Sequence, residues 1–553
     1  MINRNGLLLF GLILTISGCR ENTTKSTDGE KQPDVINYSI ESPTTKILPD
    51  RFSKSEPLLP HFSLAKGEYQ SLQIVIDTSS KERKNFQVKS KAPFNDKASL
   101  ENAVEIRLVG YVKTVDEKRW KWQKPEDIGW WPDPLLPNKP FDVPANWKQS
   151  IWVTIHAPKD AISGDYELEV TIESNTGSVK IPFKVNIWDF KIAQNSMYNI
   201  AWMPPDKLQM YYVGNQNMFS KEFVDMYKNW ADFAFDHGMP PAANMLCGWT
   251  DEDISWPVQT INGKLDFTLF DELLDYGLER NMKEFIIAIF PRRKTFEMLN
   301  EAQKIKMEDY LTTTYQHMKE KGVAHMAVVY NIDEPPKELF ESCRKNYNYV
   351  KSVIPECKVY QCVNNIKGVE ALEGYADIWD VYIPQYAKTN LAEKKDKEVR
   401  WVVCIWPHES PNLFTEYNGM DPRIIGWLMY KYEIKGFEYW NYFHSWKENM
   451  GNNLIDWQSR STLTSWKKGR FAEGDGLLAY LGPNKMPLSS IRLENLRDGF
   501  EDYQLLLSTE NLKGKNVGND IVDKIVYDLS NWETSPILMQ NVRMKIRDTL
   551  SKR

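Results

Sequence analysis

Two successive textures predict a multidomain β plus α/β protein: an N-terminal β-sandwich, a (β/α)8 TIM-type barrel, and a small C-terminal closing element. Over residues 35–187 short alternating strands are broken by turn residues, and no long helical period appears. After Trp188 strand-like runs alternate with helical ones eight times, over roughly the 250 residues that a (β/α)8 barrel needs. The third observation is residues 324–336, AHMAVVYNIDEPP, where an apolar run ends abruptly in two adjacent acids, Asp333 and Glu334. The implied division is 1–19 signal segment, 20–34 tether, 35–190 sandwich, 191–470 barrel and 471–553 closing element.

At the N-terminus Arg4 precedes a mostly apolar run over 7–16, too short to cross a bilayer and suited to a signal-peptide core. It ends in Ile16-Ser17-Gly18-Cys19, which resembles a bacterial lipobox, in which cleavage precedes the cysteine and its thiol takes a diacylglycerol. Cys19 is thus the expected lipidation site, and the lipid anchor the expected membrane contact. Arg20, where an inner-membrane lipoprotein would carry Asp, implies by the same resemblance the outer membrane, periplasmic or surface-facing. Residues 20–34 are polar and read as a tether.

Among 553 residues the net charge is −6 and no Lys/Arg cluster stands out, which argues against a nucleic-acid partner. Twenty Trp and 26 Tyr suit carbohydrate, because flat rings stack on the apolar faces of sugars, although large cores also use them. Beyond Cys19 five cysteines remain, with no C-x-x-C or Cys/His spacing, so no metal is expected.

Strands of the first domain are expected at 71–76, 104–112, 150–156 and 166–172. The proline-rich stretch 129–143 (GWWPDPLLPNKPFDV) reads as a long ordered loop. Barrel strands are expected at 197–202, 241–246, 284–290, 325–332, 357–363, 378–383, 399–406 and 436–443. Between them lie helical faces such as Phe223, Met226, Tyr227, Trp230, Phe233, and Met307, Tyr310, Leu311, Thr314, Tyr315, Met318. Gly238 and Gly322 fall where helix C-caps are wanted. In the closing element a strand is expected at 477–480 and a helix over 492–507, with Leu493, Leu496, Phe500, Tyr503 and Leu507 on one face.

Asp333 and Glu334 admit two readings. Acids before a proline cap helices well. Yet this pair follows the fourth of eight apolar strands, at the barrel mouth where catalytic residues gather. Neighbouring residues in extended chain point to opposite sides. A retaining acid–nucleophile pair sits about 5–5.5 Å apart across the scissile bond, and an inverting pair about 6.5–9.5 Å, so adjacent residues suit neither. They can act together if one serves the leaving group and the other positions part of the substrate. Substrate-assisted hydrolysis, in which a 2-acetamido oxygen attacks the anomeric carbon, divides the labour in that way.

The D-E pair, residues 426–442 (GWLMYKYEIKGFEYWNY), 490–503 (SIRLENLRDGFEDY), 131–137 (WPDPLLP) and 151–165 (IWVTIHAPKDAISGD) together resemble glycoside hydrolase family 123. The resemblance spans nearly the whole mature chain. It implies a sandwich followed by a barrel, and a retaining β-N-acetylgalactosaminidase acting on glycans without metal or cofactor. By that resemblance Glu334 is the general acid/base and Asp333 stabilises the acetamide, and Tyr382 or Tyr386 offers a phenol to the acetamide carbonyl. Trp406 and Trp440, at the ends of the last two expected strands, are candidate walls of the sugar pocket or plugs of the barrel top. Asn331 either meets a sugar hydroxyl or holds the acid pair. Arg292 and Arg293, after the third expected strand, are read as solvated or as contacts for an anionic glycan, and Asp498, Glu501 and Asp502 as structural. The rival readings are another sugar specificity on the same scaffold and a surface lipoprotein that binds glycans without cleaving them.

Overall fold

The computed structural model describes residues 36–551 except 52, 54, 79–81, 115–123, 213–216, 251–252, 291–298, 394–396, 406–408 and 445–473. The signal segment with Cys19, the tether, Arg292, Arg293 and Trp406 lie outside the described residues.

Two five-stranded sheets form the N-terminal part. One runs β1 (Asn37–Glu41), β3 (Tyr69–Asp77), β8 (Lys148–His156), β5 (Val104–Thr114), β6 (Gly129–Pro137). The other runs β2 (His61–Lys66), β10 (Gly177–Lys191), β9 (Gly164–Ser174), β4 (Arg83–Ser90), β7 (Phe141–Val143). Alternation along the strands sends one face of each sheet inward, so Ile74 and Val153 of the first share a buried cluster with Phe62, Val170 and Val185 of the second. The stretch expected as a loop, 129–143, is instead strand β6 followed by β7. Its prolines fit because β6 is an edge strand, where missing N–H groups break no inner ladder. The outer edge of β6 is not left bare: Leu135 N–H donates to Ser489 O at 2.9 Å.

The second part is α/β. Its sheet is wholly parallel, in the order β11 (Ile200–Ala201), β17 (Gly436–Tyr439), β16 (Glu398–Val403), β15 (Ile378–Tyr382), β14 (Lys358–Val363), β13 (Ala327–Tyr330), β12 (Phe285–Ile289). That makes seven strands, and the strand expected at 241–246 does not form. Pro240 and Pro241 have no N–H to give a ladder. The segment makes a single backbone bond to each side, Ala201 N–H to Pro240 O at 3.0 Å and Ile286 N–H to Ala242 O at 3.2 Å.

The helices follow the apolar faces read from the sequence. Helix α1 (Lys221–Asp236) starts at Ser220, whose side chain accepts from Phe223 N–H, and buries Phe223, Met226, Tyr227 and Trp230. Helix α2 (Glu301–Glu320) carries an Asn300/Gln303 capping box and buries the whole predicted face from Met307 to Met318. Gly238 and Gly322 stand just beyond these helices at φ 68° and 76°, the left-handed C-terminal position that glycine takes without strain.

Helix α5 (Ile491–Lys513), in the expected closing element, is not a one-faced cap. It is buried around most of its first three turns because it is wedged between the N-terminal sheets and helix α4 (Met420–Lys431). Backbones touch there: a Cβ at Gly426 would stand 1.9 Å from Gly499 O, and one at Gly499 would stand 2.3 Å from Arg423 O. The predicted strand is shorter and shifted, to Tyr480–Leu481.

Charges on α5 bind the parts together. Arg492 donates from Nε and Nη2 to the two Asp133 oxygens of β6 at 2.9 and 2.7 Å, and both residues are fully buried. Burial alone would raise the Asp133 carboxyl, but the Arg492 guanidinium holds it below its ordinary value. Two residues on, Glu494 accepts from Arg107 Nη1 of β5 at 2.6 Å and pairs ionically with Arg497, whose Nη2 stands 2.8 Å from it. Asp502 takes Arg423 Nε of α4 at 2.8 Å and Trp427 Nε1 at 2.9 Å, so its role is structural, as the sequence suggested.

Removing one member of a buried ion pair strands the other. Asp133→Asn and Arg492→Leu should therefore each lower unfolding free energy by about 3–5 kcal/mol, measured by chemical denaturation. A loss under about 1 kcal/mol, the size of an exposed pair, would contradict this reading of the interface.

Candidate active site

Strand β13 delivers the acid pair. Val328, Val329 and Tyr330 are buried on the strand next to one edge of the parallel sheet, between β12 and β14, and the chain leaves it through Asn331 and Ile332. Asn331, fully buried, staples this exit: its Nδ2 donates to Cys343 O at 3.1 Å, and its Oδ1 accepts from Ile332 N–H at 2.9 Å and Asn346 Nδ2 at 3.0 Å. Of its two expected roles, the geometry gives it the holding one. Gln361 Nε2 adds a bond to Ile332 O at 2.9 Å.

The exit is turned sharply enough to place Glu334 at φ 41°, a left-handed conformation that costs a side-chain-bearing residue about 1–2 kcal/mol. Neither acid occupies a cap position. The short turn after the prolines is capped by Pro336, and helix α3 (Phe340–Val353) by Leu339, both without side-chain bonds. Strain at a carboxylate that caps nothing points to a site.

Asp333 and Glu334 line a cavity of about 330 Å³ with Trp202, Ile289, Tyr330, Cys362, Tyr382, Val402, Cys404, Ile405, Glu438, Trp440 and Asp475. That is a small-molecule volume with apolar walls and a few polar groups. The two acids have different partners. Tyr382, at the end of β15, donates its phenol to Glu334 Oε1 at 2.6 Å. Burial, then the neighbouring Cys404 and Glu334, push the Tyr382 phenol well above its ordinary range, so it keeps its proton. Cys404 Sγ stands 2.7 Å from the Tyr382 phenol oxygen. With the phenol proton given to Glu334, the thiol is the donor in that contact.

Asp333 belongs to another network. Tyr330 Oη is 3.2 Å from Asp333 Oδ1 and 3.5 Å from Glu438 Oε1, so its single proton favours Asp333. Glu438, in the middle of β17, also accepts from Trp202 Nε1 at 2.7 Å and Tyr360 Oη at 2.5 Å. Tyr330 stacks on Tyr360 with centroids 4.9 Å apart, and Trp202 meets Tyr330 edge-on at 5.3 Å. Below, burial and then the Glu438 charge push the Asp380 carboxyl well above its ordinary range, making it the neutral partner of the pair.

Trp440 lines the cavity where it was expected. Tyr386 does not. After Tyr382 the chain turns helical (Ile383–Tyr386), which rotates the Tyr386 ring away from the cavity, 5.5 Å from Trp401 and 6.3 Å from Tyr432. Sequence reasoning missed Trp202, Glu438 and Asp475. Glu438 had a signal, as the lone acid in the aromatic strand FEYW; Asp475 lies in a turn without one.

Among the described residues no cluster of three or more His, Cys, Asp or Glu could hold a metal ion. The arrangement can accept or give a proton at Glu334, hold a hydrogen-bond donor at Asp333, and stack an apolar face on Trp202 or Trp440.

Comparisons with known proteins bear on this pocket. A family model described as glycoside hydrolase 123, catalytic domain, matches residues 225–509, and one described as glycoside hydrolase 123 N-terminal domain matches residues 62–174. Among solved structures, a family 123 glycoside hydrolase from Clostridium perfringens, studied for glycolipid glycan hydrolysis, is similar at TM-score 0.68 and 14% identity over 94% of this chain and 97% of that one. This likeness speaks to the fold. An FMN-binding β-glucuronidase from Facaelibacterium prausnitzii L2-6 reaches TM-score 0.30 at 9% identity, over 85% of each chain, too low to bear on either fold or site. No curated protein matches the chain.

The strain at position 334 gives a test independent of any substrate. Both Glu334→Gly and Glu334→Ala remove the carboxylate, but only glycine takes φ 41° freely, so the glycine variant should be the more stable by about 1 kcal/mol. Equal stability, or alanine ahead, would show an unstrained turn.

Proposed function

This chain belongs to glycoside hydrolase family 123, and from that premise we propose that it is a retaining enzyme that removes terminal β-linked N-acetylgalactosamine from glycans. Glycolipid glycans, on which the Clostridium perfringens relative was studied, are the substrate class we favour. The observation that carries the reading is the separation of the two acids. Glu334 is held by Tyr382 and Asp333 by Tyr330, so neighbouring residues do different work.

In this mechanism Glu334, protonated, gives its proton to the glycosidic oxygen. The substrate's acetamide oxygen attacks the anomeric carbon as the C–O bond breaks, closing an oxazolinium ring while Asp333 accepts from the acetamide N–H. Glu334, now a carboxylate, takes a proton from water as that water opens the ring from the face the leaving group left, so configuration is retained. Tyr382 orients Glu334 throughout, and Trp440 and Trp202 offer aromatic walls. Trp406 remains a candidate wall from the sequence. We read the two N-terminal sheets as a β-sandwich and the parallel sheet, completed by the 240–242 segment, as a (β/α)8-type barrel. A lipid on Cys19 would hold the enzyme at the outer membrane.

The test is a panel of aryl β-glycosides of GalNAc, GlcNAc and galactose, run on membrane and soluble fractions. GalNAc should be cleaved fastest and plain galactose hardly at all. Glu334→Gln and Asp333→Asn should each lower kcat about 10²- to 10⁴-fold, and Cys19→Ser should move the activity to the soluble fraction. Galactoside cleaved faster than either acetamido sugar would exclude the acetamido route, and unchanged rates in both variants would exclude the acid pair.

A further inference from the structure

Asp475 lines the same cavity and is almost fully buried, yet its carboxylate is only half used. Its Oδ1 accepts from Trp440 Nε1 at 2.9 Å. Its Oδ2 is buried and accepts no hydrogen bond from the described residues. A buried carboxylate oxygen without a donor is costly, and sites built to receive a polar ligand group are where such atoms persist.

The placement of Asp475 is built in. Gly474, Asp475 and Gly476 form a turn with both glycines left-handed, at φ 80° and 71°. A Cβ at Gly476 would stand 2.2 Å from Trp440 Cζ2, so the indole lies directly on the turn backbone. Gly474 O accepts from Arg492 Nη1 at 2.8 Å, and Gly476 N–H donates to Tyr439 Oη at 2.8 Å. The turn is thus fixed at both ends, with Trp440 clamped against it. Burial pushes the Asp475 carboxyl up to about 7, as an acceptor short of donors should be.

We propose that Asp475 is a specificity residue whose free oxygen accepts a hydrogen bond from one ring hydroxyl of the terminal sugar, while its other oxygen fixes Trp440 as that sugar's wall. The assignment rests on the glycosidase reading above and adds a residue that sees the sugar's hydroxyl pattern rather than its acetamido group. A hydroxyl pointing elsewhere on an epimeric sugar leaves Asp475 unmet, which gives a physical source of discrimination between epimers.

The experiment pairs variants with deoxy substrates. Aryl β-GalNAc and its 3-, 4- and 6-deoxy forms are assayed with wild type, Asp475→Asn and Asp475→Ala. Asp475→Asn keeps an acceptor for Trp440, and its near-ultraviolet circular dichroism should match wild type. For wild type, removing the partner hydroxyl should lower kcat/KM about 10- to 100-fold, the size of one hydrogen bond to a charged group. In Asp475→Ala that one penalty should vanish while those of the other two deoxy sugars persist. Cleavage of GalNAc with all three penalties unchanged in both variants overturns the assignment alone and leaves Asp475 as a prop for Trp440. No cleavage of any acetamido glycoside by wild type overturns the functional reading and this assignment with it.

Discussion

Arg492 is the residue on which the positions of the other parts depend. Its guanidinium is fully buried and committed in three directions: to Asp133 on the edge strand of the N-terminal part, to Leu413 O at 2.6 Å, and to Gly474 O. A guanidinium cannot shed its charge in a protein, so burying one requires every direction to be met. Meeting them fixes the edge strand β6, helix α5 and the 474–476 turn against each other. The N-terminal part is therefore more than an appendage: through Asp133, Arg492 and Gly474 it helps hold the turn that carries Asp475 and supports Trp440.

The pocket repeats this logic with carboxylates. Asp333, Glu334, Asp380, Glu438 and Asp475 lie in or just beneath it, a crowd of acids that would repel if all were charged and unpaired. Phenols solve part of the problem. Tyr330, Tyr360 and Tyr382 are buried enough to stay protonated, and each donates to a carboxylate at the end or in the middle of a strand. The neutral Asp380 removes one further charge. What remains is a division, with Glu334 under Tyr382 and Cys404 on one side and Asp333 under Tyr330 and Glu438 on the other.

Much of this was legible in the sequence. The apolar run ending in D-E could only be a buried strand with a polar exit, and the helix faces announced themselves by their period. The misreadings have physical causes. Residues 241–246 look apolar enough for a strand, but Pro240 and Pro241 cannot complete a ladder. Residues 129–143 look too proline-rich for one, and become possible only at a sheet edge, which depends on strand order rather than on local sequence. Tyr386 was expected in the pocket as if the strand ran straight on, whereas the chain coils after Tyr382. Asp475 acquires its place from Arg492 and Trp440, 17 residues later and 35 earlier, a relation that no local pattern encodes.

The central claim is that the nucleophile comes from the substrate, with Asp333 and Glu334 serving separate atoms. The most direct measurement is kcat/KM for aryl β-galactosaminides whose N-acetyl group carries zero, one, two or three fluorines. Fluorine withdraws electrons from the acetamide oxygen without changing the leaving group. The account predicts a steep, monotonic fall in rate with each fluorine; a flat series would contradict it and return the nucleophile to the protein.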